Sequence, residues 1–372
     1  MSTSVEVEET KESSKRRRLV SLTITEACNL SCSYCYEHSK TAAVMDIQVA
    51  KDILKHEFEN SDGFDEIEID LFGGEPTLYP DFIKELVNWT RHQTFTKPFI
   101  FFLQTNGTLV HEDLQKWLLD NKSHVNVGLS LDGTPATHDR NRNNSYDLID
   151  IDFFVRNYPA QGVRMTISAD SIGSLAEDVI YLYGLGFSRI DSFFAYGIDW
   201  KKDSLEDVLS EQLLILAQYY LDNPDVRECS IFDMPIHMLN SSSPFLLKWC
   251  GTGVEMVSIG VDGKKYPCHA FQPNTNSSPI ELGGIKFNDI KDFSDPECHS
   301  CMVETLCPNC YGINHLASGD MLKRDKQICS ITKIRVQAVA WLRAHQIGKG
   351  IYKDSPGNMY NAIEVIKKLQ NI

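Results

Sequence analysis

Cys28, Cys32 and Cys35 lie within eight residues, Cys28-Asn29-Leu30-Ser31-Cys32-Ser33-Tyr34-Cys35. Three thiolates so spaced can ligate three irons of a 4Fe-4S cluster and leave the fourth open to bind and reduce a small molecule. Cysteine is often buried merely as a small apolar residue, but polar neighbours and the adjoining Tyr34 and Tyr36 do not make a core sequence. A second array runs Cys250, Cys268, Cys298, Cys301, Cys307, Cys310 and Cys329. Its two Cys-x2-Cys pairs suit zinc or iron-sulfur ligation, and seven thiols are too many for one zinc and one short of two. The remaining cysteine, Cys229, stands alone.

Three polar clusters follow apolar runs. The first is Gly73-Gly74-Glu75-Pro76, whose glycines would let backbone approach a ligand and whose carboxylate could accept from an ammonium group, although it also makes an ordinary turn. The second is Gln104-Thr105-Asn106-Gly107. The third is Ser130-Leu131-Asp132-Gly133, followed by His138-Asp139-Arg140-Asn141-Arg142, where a guanidinium fork suits a carboxylate.

The elements that must carry these residues alternate. Strands are expected over 19–25, 66–72, 99–105, 125–131, 163–169 and 189–195, and helices over 45–59, 81–92, 111–121, 148–158, 174–185 and 205–221. Six βα units call for a parallel sheet and fit a partial (β/α)6 TIM barrel of the α/β class, with its chemistry at the carboxyl ends of the strands. Asp222-Asn223-Pro224-Asp225 breaks the pattern, and Ser241-Ser242-Ser243-Pro244 reads as a linker into the Cys-rich segment. The expected division is a disordered tail over 1–18, a barrel over 19–235, a Cys-rich module over 236–335 and a helical segment over 336–372.

The chain of 372 residues is 42% apolar with formal net charge -15, which disfavours nucleic acid and anionic membrane. It shows no secretory signal and no uninterrupted apolar span, so a cytoplasmic protein is expected. Eleven cysteines without an export signal favour metal or cluster ligation over disulfides.

The CxxxCxxC motif with Tyr34 before its last cysteine resembles the radical S-adenosylmethionine (radical SAM) superfamily, and GGE one strand later strengthens the likeness. The resemblance implies that the open iron chelates S-adenosylmethionine, with contacts from Tyr34, Gly73, Gly74, Glu75, Gln104, Asn106, Ser130 and Arg142. SLDG…HDxxR is similar to the sulfatase-maturing and peptide-modifying branch, where the serine meets the ribose and the arginine the carboxylate. The second array resembles a SPASM domain binding two auxiliary 4Fe-4S clusters, with Pro308 and Asn309 one residue short of the usual spacing. That likeness implies Cys298, Cys301, Cys307 and Cys329 as one complete ligand set, and Cys250, Cys268 and Cys310 as a three-thiolate set, open unless Cys229 closes it.

Sulfatase-maturing relatives place a general-base aspartate after the second cysteine of the array, whereas this chain has His269 in Tyr266-Pro267-Cys268-His269-Ala270-Phe271, similar to thioether-forming maturases. His269 is a candidate base or a hydrogen-bond donor behind the ligands. The resemblance therefore implies a maturase of sactipeptide or ranthipeptide type, with CXXX-repeat-like targets. It would use S-adenosylmethionine and three 4Fe-4S clusters to install thioether crosslinks in a ribosomally made precursor with a leader and a Cys-containing core. A flavodoxin or ferredoxin-type reductant is expected, as is a separate leader-recognition protein or direct leader docking, since only 18 residues precede Leu19. Rival expectations are a carbon-carbon or cyclophane-forming maturase, a formylglycine-forming one, and, outside enzymes, a zinc-binding interaction protein.

Overall fold

A computed structural model describes residues 15–240, 250–277, 285–288, 295–307 and 310–370. Residues 1–14, the linker at Ser241 to Pro244 and the spacing residues Pro308 and Asn309 lie outside them, whereas Arg17 and Arg18, assigned to the tail over 1–18, open the first strand by pairing with Glu66 and Ile67.

Six strands, β1 (Arg17–Thr25), β2 (Glu66–Gly73), β3 (Phe99–Thr105), β4 (Val125–Ser130), β5 (Val163–Ile167) and β6 (Ile190–Phe194), pair in parallel and in sequence order. Between them run α1 (Ile47–Glu59), α2 (Pro80–Arg91), α3 (Glu112–Asp120), α4 (Pro135–Asn141), α5 (Ile151–Asn157) and α6 (Leu175–Leu185), and α7 (Leu205–Asp222) follows β6. Alternation along β1, β2 and β3 sends Val20, Leu22, Ile24, Ile67, Ile69, Leu71, Phe101 and Leu103 into the layer beneath the helices, all inaccessible to solvent. Their other faces line the barrel interior.

The sheet does not close. Its order is β6-β5-β4-β3-β2-β1-β7-β8, so the Cys-rich segment extends it past β1. β7 (Met256–Ile259) lies parallel to β1 with Leu19 opposite Met256, and β8 (Lys265–Tyr266) returns antiparallel. Sequence pattern missed both strands: four and two residues are too few to show a period. It also missed α4, although Thr134 caps it and Pro135 opens it, and α8 (Tyr311–Ser318).

The last cysteine, Cys329, is the first residue of α9 (Cys329–Gly348), which packs on α7 and on α10 (Pro356–Gln370). The Cys-rich segment is thus fastened to the barrel at both ends, by β7 on the sheet and by α9 on a barrel helix. Pro356 opens α10, with residues 349–355 between it and the end of α9 at Gly348.

Candidate active site

At the carboxyl ends of the strands lies a cavity of about 360 Å³, a size suited to a small-molecule site. Cys28, Cys32, Cys35, Tyr34, Gly73, Gly74, Glu75, Gln104, Asn106, Ser130, Arg142 and His269 all line it. Residues from five loops and from the Cys-rich segment therefore converge on one space.

The cysteine loop is held by backbone as much as by side chains. Ala27 N–H donates to Thr25 Oγ1 (3.0 Å), Cys35 N–H to Cys32 O (3.1 Å) and Ser33 N–H to Asn141 O at the end of α4 (2.9 Å). Gly74 N–H and Glu75 N–H donate to Thr25 O and Ala27 O, each at 2.9 Å. A Cβ on Gly73 would sit 2.2 Å from Thr25 O, and one on Gly74 2.3 Å from Ala27 O. The glycines are thus required by the chain leading into Cys28, a tighter demand than the ligand approach expected of them.

Glu75 is buried, and burial raises its pKa. Its Oε1 accepts from Thr77 N–H (3.0 Å), Thr77 Oγ1 (2.6 Å) and Thr105 Oγ1 (2.8 Å), and Oε2 from Asn106 N–H (2.8 Å). A carboxylate offers roughly four lone-pair sites, so Glu75 first clips β2 to β3 and keeps only Oε2 capacity for a ligand. Asn106 is similarly engaged: its Nδ2 donates to Asn29 Oδ1 (2.9 Å) and its Oδ1 accepts from Thr108 N–H (3.0 Å). Asn29, inside the cysteine motif, donates to Thr108 Oγ1 (2.8 Å). Gln104 Nε2 donates to Ser130 Oγ (2.8 Å), while its buried Oε1 has no partner.

Asp132, quoted in the sequence only as part of SLDG, is the hub of the far wall. It is fully buried and takes Arg142 (Nε to Oδ2 3.0 Å, Nη2 to Oδ1 3.1 Å), Tyr34 OH (2.6 Å), Asn141 Nδ2 (3.2 Å) and Thr166 N–H (3.0 Å). The Arg142 guanidinium also lies 5.5 Å from the Tyr34 ring. Its charge is therefore paired before any ligand arrives. Lys40, unnoticed in the sequence, lines the cavity with its charge acting on Cys35 and Cys28. His138 shapes the loop: Asp132 N–H donates to its Nδ1 (3.3 Å), its Nε2 meets Ser145 Oγ (3.0 Å), and burial lowers its pKa to about 4.

The β7–β8 turn delivers the second thiol group. Gly263, with φ of 78°, sits in that turn, and Gly253 N–H donates to Pro267 O (3.0 Å). Cys250 Sγ lies 2.9 Å from Thr252 Oγ1, which also bonds Cys268, and the charges of Cys250, Cys268 and Cys310 act on one another. Burial pushes the Cys268 thiol up to about 12 and Cys310 up to about 11. Cys229 is not part of this group. It is buried in the barrel core, with its N–H donating to Tyr220 OH (2.9 Å).

His269 follows Cys268 into the cavity, stacked on Phe72 with centroids 4.8 Å apart and 5.8 Å from Tyr36. Its Nδ1 is buried without a partner among the described residues and burial lowers its pKa to about 4, so it stands neutral at pH 7. The Tyr36 phenol feels the charges of Cys35, Cys310 and Cys268. Members of both thiol groups therefore lie near one tyrosine.

Cys298, Cys301, Cys307 and Cys329 line a separate apolar void. Among the described residues, no three His, Cys, Asp or Glu side chains converge tightly enough for a single metal ion. The donor chemistry fits iron-sulfur ligation: three thiols beside the cavity, three that act on one another, and four around a void.

Residues 22–166 match the radical SAM superfamily. Fold and match together define the class: the chain carries a radical SAM domain, the barrel of that enzyme superfamily. A cysteine-type anaerobic sulfatase-maturating enzyme of Clostridium novyi is 33% identical over 31% of this chain and 32% of its own length. The chain thus spans about a third of that curated relative. The sporulation killing factor maturation protein SkfB of Bacillus subtilis is 36% identical over 32% of this chain and 28% of its own. The solved structure of native anSMEcpe with bound AdoMet superposes with a TM-score of 0.66 at 21% identity, covering 90% of this chain and all of that one. Among the described residues no helix is long and apolar enough to cross a membrane.

Proposed function

We propose that the chain is a SPASM-type radical SAM maturase that installs cysteine sulfur-to-carbon thioether crosslinks in a ribosomally made precursor peptide. The observation that carries this reading is the placement of Cys28, Cys32, Cys35 and His269 around one cavity, with Tyr36, which also lines it, near enough to Cys268 and Cys310 to feel their charges. Cys28, Cys32 and Cys35 would hold the S-adenosylmethionine cluster, Cys250, Cys268 and Cys310 a second, and Cys298, Cys301, Cys307 and Cys329 a third. When bound, S-adenosylmethionine and a reduced cluster supply a 5′-deoxyadenosyl radical that takes hydrogen from carbon.

The protein's own residues then have defined tasks. Gln104 Oε1, Ser130, Glu75 Oε2 and Arg142 present polar groups to S-adenosylmethionine, while Tyr34 and Asp132 hold the arginine still. Joining sulfur to carbon removes a hydrogen atom from carbon, a proton from the thiol and one electron, which a bound auxiliary cluster would accept. His269, neutral and with an unpartnered Nδ1, is placed to accept that proton. With Cys229 buried in the barrel core, Cys250, Cys268 and Cys310 would hold a cluster through three thiolates, and a peptide thiol would supply the fourth.

The sulfatase-maturating relatives support a second reading, formylglycine formation. Against it stands His269 where that reaction's aspartate is expected. Anaerobic co-expression with a Cys-containing precursor, followed by tandem mass spectrometry, separates the two. Thioether formation removes a pair of hydrogens per bond and keeps sulfur; formylglycine formation loses the sulfur. A sulfur-free product would overturn the thioether reading.

A further inference from the structure

The void bounded by Cys298, Cys301, Cys307 and Cys329 is also lined by Arg324, Ile328 and Thr332. Arg324 is only 5% exposed, and its Nε and Nη2 have no hydrogen-bond partner among the described residues. Asp295, the nearby carboxylate, takes the backbone N–H of Arg324 (3.0 Å) rather than its guanidinium. A guanidinium stays charged in a protein, and a buried charge without an acceptor is strongly unfavourable. The Arg324 charge acts on Cys298 and the residue borders the void together with all four thiols, so sulfur there is the acceptor the site offers. Lys326 adds positive charge at the rim, its Nζ 3.5 Å from Cys298 Sγ. That lysine is half exposed and shared with Asp295 (3.5 Å) and Glu297 (3.4 Å).

We infer that Arg324 donates its free Nε–H and Nη2–H to the sulfurs of the cluster ligated by Cys298, Cys301, Cys307 and Cys329, and thereby raises that cluster's reduction potential. The inference rests on the reading of this array as a cluster site. One-electron reduction adds a negative charge to the cluster, and a buried cation with two donors stabilises the reduced form more than the oxidised one. Net charge, hydrogen bonds to sulfur and exposure are what set such potentials. Lys326, solvated and already paired, contributes less.

The test is a dithionite redox titration followed by electron paramagnetic resonance. It uses the full-length chain, reconstituted anaerobically, with Cys28, Cys32 and Cys35 replaced by Ala so that only auxiliary signals remain. R324Q should move one auxiliary midpoint to lower potential at unchanged iron content, R324K should move it less in the same direction, and K326Q should leave it nearly in place. If R324Q fails to retain iron, the R324K titration decides. Fully loaded Arg324 variants with midpoints equal to the parent would overturn the inference alone. A parent chain without any iron-sulfur absorbance would overturn the cluster reading with it.

Discussion

Arg142 and Asp132 form a buried ion pair at the edge of the cavity, with Arg142 Nε 3.0 Å from Asp132 Oδ2 and Nη2 3.1 Å from Oδ1. Ten residues apart in sequence, they meet because α4 reverses the chain between them. Asp132 also fixes Tyr34, the aromatic of the cysteine motif, through its phenol at 2.6 Å. Replacing Asp132 by Asn strands a buried guanidinium and should destabilise the protein by about 3 kcal/mol or more. Urea unfolding measures that loss, and S-adenosylmethionine affinity should fall with it.

Gly74 tests the link between the second strand and the cysteine loop. Any Cβ there would lie 2.3 Å from Ala27 O and 2.6 Å from Ala27 C, backbone that cannot swing aside as a side chain would. Gly74→Ala should therefore displace Cys28 and lower bound iron by roughly 4 atoms of about 12 per chain, the content of one cubane among three. The Cys-rich segment should keep its share, as iron and sulfide assays on anaerobically reconstituted protein would show.

His138 makes folding sensitive to acid. Its folded-state pKa of about 4 lies below the usual 6.5 because burial disfavours the imidazolium. The unfolded chain therefore binds more protons between those values, and stability falls as pH drops from 6.5 toward 4. At pH 5 this one group withdraws about 2 kcal/mol relative to neutral pH. His138→Asn should flatten the pH dependence of urea unfolding between pH 5 and 7 relative to the parent.

His269 separates chemistry from assembly. Its ring touches Phe72 and Tyr36 but its Nδ1 bonds nothing among the described residues. His269→Asn should leave iron content and S-adenosylmethionine cleavage near parental levels while lowering peptide crosslinking roughly 100-fold, the usual worth of a general base. Equal losses in cleavage and crosslinking would assign it a structural role instead.

Much of this arrangement was legible in the sequence, for reasons that differ by residue. The six βα units announced themselves because short apolar, β-rich runs alternate with helical ones, and the first four carry the cysteine motif or a polar cluster at the carboxyl end. Cys28, Cys32 and Cys35 were legible by spacing, and Ser130 and Arg142 by motif. Asp132, Asn29 and Lys40 were not, since a lone acid, amide or lysine has no signature until the fold supplies its partners. β7 was hidden because Met256–Ile259 is short and flanked by glycines, and its pairing with β1 joins residues far apart in the chain. The packing demand on Gly73 and Gly74 was not legible because the backbone they accommodate belongs to another strand.

The most direct measurement is S-adenosylmethionine cleavage by the anaerobically reconstituted protein under dithionite, with iron counted in the same sample. The account predicts about 12 Fe per chain and steady release of 5′-deoxyadenosine and methionine, abolished in Cys32→Ala while most of the iron remains. A protein that binds zinc instead of iron, or that carries iron-sulfur absorbance yet leaves S-adenosylmethionine intact, would contradict it.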